Sequence, residues 1–268
     1  MLDLLAYPFV GVVAGVLAGL LGVGGGIVVV PALVYLFASS GILPGHVMQM
    51  SLGTSLGVIC FTSISSSYSH HRRGAVRWPI VVSIAPGILL GTFGGAHLAA
   101  ALSTMFLKAF FALFLLMVCA QMLLDLRPEA SRALPGRAGV ILVGGVIGLV
   151  SALVGIGGGT LSVPFMSYCN VAMRQAIGTS AAIGFPIAAA GTLGYVTSGI
   201  GAEGLPSLSL GYVYLPALAG VALGSVLTAP LGASLAHSIP VKTLKRCFGA
   251  FLLIVAARML WDVFTRAS

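Results

Sequence analysis

Two glycine-rich stretches interrupt long apolar runs, and their backbone could bind an anion. The first is GVGGGIVVVP (Gly22–Pro31), and the second is GIGGGTLSVP (Gly155–Pro164). Glycine allows a backbone turn with positive φ, and a helix that restarts after such a turn presents free N–H groups and the positive end of its dipole. Half-helices that restart at Ile27 and Thr160 would therefore form an anion site without a cationic side chain.

A Gly-Thr-Ser triplet follows each glycine-rich stretch, at Gly53–Ser55 and Gly178–Ser180. Its hydroxyl groups could add hydrogen-bond donors if these segments pass the glycine breaks. Gln49 and Arg174 align with each other by the register of the triplets and are further candidates, although Arg174 could instead anchor the chain at the membrane surface. The predicted substrate-binding residues are Gly24, Gly25, Gly26, Ile27, Thr54, Ser55, Gly157, Gly158, Gly159, Thr160, Thr179 and Ser180.

Close helix packing is the alternative explanation for the glycines, because small residues let membrane helices approach each other. For the two glycine-rich stretches we favour the binding site. Two other sets are spaced by four or eight residues, which places each set on one helix face, and for these we predict packing. They are Gly87, Gly91 and Gly95 in one segment and Gly220, Gly224 and Gly232 in another.

The composition indicates an integral membrane protein. Hydrophobic residues make up 59% of the chain and charged residues 7%, and the mean hydropathy is +1.12, which excludes a soluble globular domain. Two apolar segments, the first and the fifth, are too long for a hydrocarbon core of about 30 Å at about 1.5 Å per helical residue. We expect both to be broken or re-entrant at their glycines. The eight apolar segments are 4–38, 46–69, 78–101, 104–124, 138–169, 171–199, 211–237 and 240–264.

The chain is predicted to be an internal duplication. The two glycine-rich stretches are identical at six of ten positions, and their offset is 133 residues (155 − 22). If segments one and five each turn back, ten basic residues lie on one side of the membrane and three on the other, as the positive-inside rule favours. The predicted fold is therefore an all-α membrane protein of two inverted four-segment repeats, 1–125 and 138–268, with a cytoplasmic linker at 126–137 and both termini outside.

Two Gly-x-Gly-Gly-Gly…Pro elements, each followed by Gly-Thr-Ser in a duplicated eight-segment chain, resemble the TauE/SafE sulfite exporter family. This family is also called the toluene sulfonate uptake permease family. The resemblance extends from about Gly11 to Asp262. It implies a carrier in the bacterial cytoplasmic (inner) membrane that moves small sulfur-containing or organic anions such as sulfite, sulfonates and sulfoacetate.

We therefore expect a secondary transporter, not an enzyme, that binds its anion near the membrane midplane and works by alternating access. A carboxylate or other organic-anion carrier is the alternative within transport. A membrane-embedded enzyme acting on thiols or lipids and a non-transporting scaffold subunit are alternatives of other classes. Against the enzyme, no nucleophile, base and orienting group are adjacent in the sequence. The cysteines also lack electropositive neighbours in the sequence.

The expected partners are a small anionic substrate and the lipid bilayer. The formal charge of +8 is attributed to the positive-inside rule rather than to nucleic-acid binding, and neither a cofactor nor a metal ion is expected. All five acidic residues lie near segment ends or in loops, so the coupling ion, H⁺ or Na⁺, stays open, as do homo-oligomer formation and the direction of transport. The start of the chain has no basic n-region, so we expect no cleaved signal peptide.

Overall fold

The chain folds into ten helices and one short hairpin within the residues that the structure, a computed structural model, describes. These residues are 2–21, 25–124, 133–235 and 241–267. Gly24 and linker residues 126–132 lie outside them. The elements are α1 (Leu2–Leu21), α2 (Gly26–Ser39), α3 (Val47–Arg72), α4 (Trp78–Ala101), α5 (Thr104–Leu123), α6 (Arg137–Val154), α7 (Gly159–Tyr168), α8 (Met173–Ser198), β1 (Ser209–Leu210), β2 (Val213–Tyr214), α9 (Leu215–Leu235) and α10 (Val241–Ala267).

The predicted all-α membrane class is confirmed. Among the described helices, α3, α4, α5, α6 and α8 are long and apolar enough to cross a membrane. Shorter apolar stretches lie in α1, α2 and α9. Large apolar side chains are exposed on the outer helices, among them Leu90 of α4 and Leu142 of α6. Such a surface suits contact with lipid, and the chain is a multi-pass membrane protein.

Both overlong apolar segments are broken at their glycines, as predicted. In the first, α1 ends at Leu21 and α2 begins at Gly26. In the fifth, α6 ends at Val154 and α7 begins at Gly159. Each segment therefore consists of a longer helix, an interruption and a shorter helix.

The central helices α3 and α8 pack against each other and run antiparallel. At one end, His46 Nε2 before α3 lies 3.2 Å from the carbonyl oxygen of Glu203, which follows α8. At the other end, Arg174 Nη2 near the start of α8 donates to the carbonyl oxygen of Arg73 just after α3, at 3.1 Å. We call the first the hairpin end, because β1 and β2 lie in the same loop as Glu203. We call the second the arginine end.

Helices α4 and α6 pack closely in parallel through glycines. A Cβ added to any of the three α4 glycines would approach the α6 backbone within 3 Å, so only glycine permits this distance between the helices. The packing prediction for these glycines is confirmed. Gly87, Gly91 and Gly95 face Ile141, Gly145 and Leu149, in this order.

Helices α1 and α9 form an equivalent parallel pair. Gly220 and Gly224 of α9 lie against Tyr7 and Pro8 of α1. Thr228 Oγ1, one turn further along α9, donates to the carbonyl oxygen of Val12 at 3.0 Å. The packing prediction is thus confirmed for Gly220 and Gly224, whereas Gly232 lies outside the residues whose contacts are described. Each pair, α1 with α9 and α4 with α6, contains one helix from each half of the chain.

These directions bring both ends of each broken segment to the same end of the bundle. Helix α4 starts at the arginine end, and its parallel partner α6 starts there too. Helix α7 then leads through residues 169–172 to the start of α8, which is also at the arginine end. By the same argument, α1 starts at the hairpin end together with α9, and α2 leads back to the start of α3 at that end.

The start of α9 differs from the sequence prediction. The seventh segment was predicted from residue 211, but α9 begins at Leu215 because Val213–Tyr214 pair with Ser209–Leu210 in an antiparallel hairpin. Gly211 makes the turn with φ +53°, a conformation that glycine adopts readily. An apolar run of this kind does not distinguish a short strand from the first turn of a helix.

Candidate anion-binding site

The two glycine breaks have nearly the same backbone geometry. Gly25, before α2, has φ 72° and ψ −20°, and Gly158, before α7, has φ 76° and ψ −14°. These two residues are separated by the repeat offset of 133 (158 − 25). Residues with a side chain rarely adopt this left-handed conformation. The sequence motif therefore places glycine where each half-helix begins.

The first two backbone N–H groups of each half-helix have no hydrogen-bond partner among the residues that the structure describes. The carbonyl oxygen of Gly25 accepts the N–H groups of Val28 and Val29, at 3.0 and 3.1 Å. The carbonyl oxygen of Gly158 accepts the N–H groups of Leu161 and Ser162, at 3.0 and 2.8 Å. The preceding N–H groups have no helical partner. These belong to Gly26 and Ile27 in α2 and to Gly159 and Thr160 in α7.

The two breaks are in contact with each other deep in the bundle. A Cβ added to Gly26 would lie 2.5 Å from the carbonyl oxygen of Gly155 and 3.0 Å from Ile59 Cδ1. Ile59 lies at the middle of α3, and both Ile59 and Ile27 are 1% exposed. Gly155 in turn lies against Val30 of α2. The structure thus brings together the start of α2 and the interruption between α6 and α7.

Gly157 and Gly158 face the middle of α8. A Cβ added to Gly184 would lie 3.2 Å from the carbonyl oxygen of Gly157, and a Cβ added to Gly158 would meet the side chain of Ile187. The second break is therefore enclosed between α3 and α8, far from either end of these helices.

The carbonyl groups around the second break are hydrogen-bonded. Ser55 Oγ of α3 donates to the carbonyl oxygen of Gly155 at 2.9 Å. The carbonyl oxygen of Ser151, near the end of α6, accepts the N–H groups of Gly155 and Ile156 at 2.8 and 3.1 Å. Ser162 Oγ donates to the carbonyl oxygen of Gly158 at 2.8 Å. Three carbonyl oxygens at this break, those of Ser151, Gly155 and Gly158, are therefore hydrogen-bonded within the protein.

The threonines of the Gly-Thr-Ser triplets connect the two halves of the chain. Thr54 Oγ1 in α3 accepts the backbone N–H of Tyr214, immediately before α9, at 3.0 Å. Thr179 Oγ1 in α8 accepts the backbone N–H of Arg77, immediately before α4, at 3.0 Å. Both threonines are buried. Each therefore ties a central helix to the start of a membrane helix of the other repeat.

The glycines of the same triplets support these contacts. A Cβ added to Gly53 would lie 3.0 Å from the carbonyl oxygen of Tyr212, and one added to Gly178 would lie 2.5 Å from that of Ala75. Tyr212 lies two residues before Tyr214, whose N–H group donates to Thr54. Ala75 lies two residues before Arg77, whose N–H group donates to Thr179. The triplet is thus a reciprocal contact between repeats, a role that its spacing in the sequence did not indicate.

The remaining predicted residues lie at different places. Ser180 Oγ donates within α8, to the carbonyl oxygen of Ile177 at 3.1 Å. Gln49 Nε2 donates to the carbonyl oxygen of Leu102 at 2.9 Å, and Gln49 Oε1 accepts from Thr104, so this side chain holds the corner between α4 and α5. Arg174 contacts Arg73 at the arginine end.

Two buried serines at the second break, Ser151 and Ser162, were missed by the sequence prediction. Both are 0% exposed. The repeat offset of 133 aligns Ser151 with Ala18 and Ser162 with Val29. A position-by-position comparison of the repeats therefore shows serine in the second repeat where the first has an apolar residue. Among the described residues, no group of three His, Cys, Asp or Glu side chains could hold a metal ion.

Comparison with known proteins identifies the family. The chain matches the family model described as sulfite exporter TauE/SafE over residues 7–259. A probable membrane transporter protein of Haemophilus influenzae is 38% identical over 253 residues, which cover 93% of this chain and 95% of the relative. No solved structure matches the chain.

More distant relatives have the same kind of name. A probable membrane transporter protein of Methanocaldococcus jannaschii is 26% identical over 257 residues, covering 94% of this chain and 93% of the relative. The probable membrane transporter protein YdhB of Bacillus subtilis is 27% identical over 238 residues, covering 86% and 89%. The resemblance noted in the glycine motifs is thus confirmed over nearly the whole chain, which belongs to the sulfite exporter TauE/SafE family of membrane transporters.

Proposed function

We propose that this transporter is a secondary carrier for small sulfur-containing or organic anions such as sulfite, sulfonates and sulfoacetate. The observation that carries the proposal is the contact, in the buried middle of the bundle, between the start of α2 and the interruption that precedes α7, with a left-handed glycine before each half-helix. The description of the family as a sulfite exporter supports the sulfur-containing class.

The free N–H groups at the starts of α2 and α7 bind the anion in this proposal. Aligned peptide dipoles add about half a positive charge at each helix start, and in a buried, water-poor site such charge acts strongly. Gly26 and Ile27 in α2 and Gly159 and Thr160 in α7 provide these groups. Ser55 belongs to the wall of the site, Thr54 and Thr179 position α3 and α8, and Ser180 is bonded within α8. Gln49 and Arg174 anchor the ends of the bundle.

Transport would follow from rocking of two inverted repeats, 1–125 and 138–268, around the central site. The antiparallel α3 and α8 support inversion, because corresponding helices of inverted repeats must run in opposite directions. The helix pairs α1 with α9 and α4 with α6 each join one helix from each half of the chain, and this arrangement supports a twofold relation between the repeats. In this proposal the arginine end faces the cytoplasm of a bacterial cell, and its larger share of the described basic residues supports this orientation. The chain termini then face outside.

Cysteine labelling in intact cells tests this topology. In a variant without the four native cysteines, Glu203→Cys should react with a membrane-impermeant maleimide, since the hairpin end faces outside. Ala172→Cys, at the arginine end, should react only after the cells are permeabilised. Eight simple spans would produce the reverse pattern and would contradict both the re-entrant segments and the inversion.

A panel of anions tests the substrate class. The thermal stability of the purified protein should rise with sulfite, thiosulfate, sulfoacetate or toluene sulfonate and not with chloride. A ligand that binds only the folded state adds about 2.7 kcal/mol at 100 times its Kd. Stabilisation by acetate and other carboxylates alone would instead favour the carboxylate carrier. No response to any anion, together with no flux into liposomes, would reject the anion-carrier proposal.

A further inference from the structure

The two glycine breaks differ in the side chains of their half-helices, although their backbones match. The repeat offset of 133 aligns Thr160 of α7 with Ile27 of α2, and it aligns Ser162 with Val29. Both residues of α2 are 1% exposed and apolar. The first turn of α2 therefore offers only backbone donors, whereas that of α7 also offers hydroxyl groups.

Two hydroxyl groups near the second break are buried without a partner. Thr160 is 8% exposed and Ser151 is 0% exposed, and neither Thr160 Oγ1 nor Ser151 Oγ has a hydrogen-bond partner in the part of the chain that the structure describes. Buried side-chain hydroxyls are nearly always hydrogen-bonded, and leaving one unsatisfied is unfavourable. A bound ligand or water would supply the missing acceptor.

The neighbouring serine hydroxyls are bonded to the backbone, whereas the Thr160 hydroxyl has no partner among the described residues. Ser55 Oγ donates to the carbonyl oxygen of Gly155, and Ser162 Oγ donates to that of Gly158. With these oxygens occupied, Thr160 stands beside its own free N–H group and that of Gly159. An anion at this position would meet three donors within one helical turn.

We propose that the anion site is asymmetric and that Thr160 Oγ1, supported by Ser151 Oγ, donates to a substrate oxygen at the second break. This inference rests on the proposed function, because it assigns side-chain donors within the same site. The second repeat then supplies most of the binding energy, and α2 supplies backbone N–H groups opposite it.

Binding of radiolabelled sulfite to the purified protein tests the proposal. Thr160→Val keeps the shape of the side chain and removes the donor, so the Kd should rise about tenfold or more, as for the loss of a hydrogen bond to a charged group. Thr160→Ser keeps the hydroxyl and should bind within about threefold of the wild type. Ser151→Ala should show a smaller increase in Kd.

Thr92→Val is the matched control, because Thr92 Oγ1 on α4 is also buried and has no hydrogen-bond partner among the described residues but lies outside both breaks. Its Kd should change less than about twofold. Melting temperatures without sulfite check that all variants are folded. Equal Kd values for Thr160→Val and Thr92→Val, with sulfite bound by the wild type, would overturn the asymmetry and leave the proposed function standing. If the wild type binds neither sulfite nor any other anion of the panel, both proposals fail.

Discussion

Gly158→Val is expected to abolish anion binding while the protein remains folded. Gly158 has φ 76°, and a Cβ at this position would meet the side chain of Ile187. A β-branched residue is strongly disfavoured in this conformation. The backbone must therefore relax, and the relaxation moves the first turn of α7 together with its free N–H groups. Gly25→Val, at φ 72°, should act on α2 in the same way.

Equilibrium binding of labelled sulfite to the purified variants measures this effect. We expect the Kd to rise at least about 100-fold, which corresponds to about 2.7 kcal/mol of lost binding energy. A single symmetric peak in size-exclusion chromatography would show that the variants are folded. Unchanged affinity in both Gly25→Val and Gly158→Val would refute the assignment of the site to the glycine breaks.

Gly41→Val is the control for backbone strain alone. Gly41 has φ 77° in the exposed loop between α2 and α3, and no atom lies within 4 Å of its hypothetical Cβ. The variant therefore introduces similar strain without disturbing a half-helix. Its Kd for sulfite should stay within about twofold of the wild type. A loss of affinity as large as in Gly158→Val would show that strain anywhere in the chain is sufficient.

Gly91→Ala is expected to reduce the stability of the whole bundle. A Cβ at Gly91 would lie within 3 Å of three backbone atoms of Gly145, and a backbone cannot yield as a flexible side chain does. Overpacking of this kind destabilises by about 1–3 kcal/mol, and contact with backbone places this variant at the upper end. The melting temperature in detergent and the yield of folded protein should both fall.

Gly94→Ala supplies the matched control in the same helix. Gly94 is exposed, and nothing lies within 4 Å of its hypothetical Cβ. Alanine also has the higher helix propensity, by about 1 kcal/mol, so the melting temperature should stay unchanged or rise slightly. Equal loss of stability in the two variants would contradict the close packing of α4 on α6.

The helix breaks and the membrane helices were predictable because they depend on local chemistry. A run of 35 residues is too long for one membrane span, and three consecutive glycines mark the point where its helix ends. Gly25 and Gly158 could be paired because the repeat places the same glycine motif twice in the sequence. By contrast, the hairpin before α9 was not predicted, since its short apolar strands have no periodicity of their own.

By itself, the sequence determined that the chain is an all-α membrane protein and that two long segments are interrupted at glycines, and it predicted an internal duplication. Composition and motif spacing are sufficient for these conclusions. Apolar side chains favour transfer into the hydrocarbon core of the bilayer, and glycine allows the backbone to leave the helical conformation. The tertiary structure alone decided that Gly26 meets Gly155, that Thr54 and Thr179 hold the opposite repeat, and that the Thr160 hydroxyl lacks a protein partner. These facts depend on which helices pack together. A single sequence does not show which residues are in contact when they are separated by more than 100 positions.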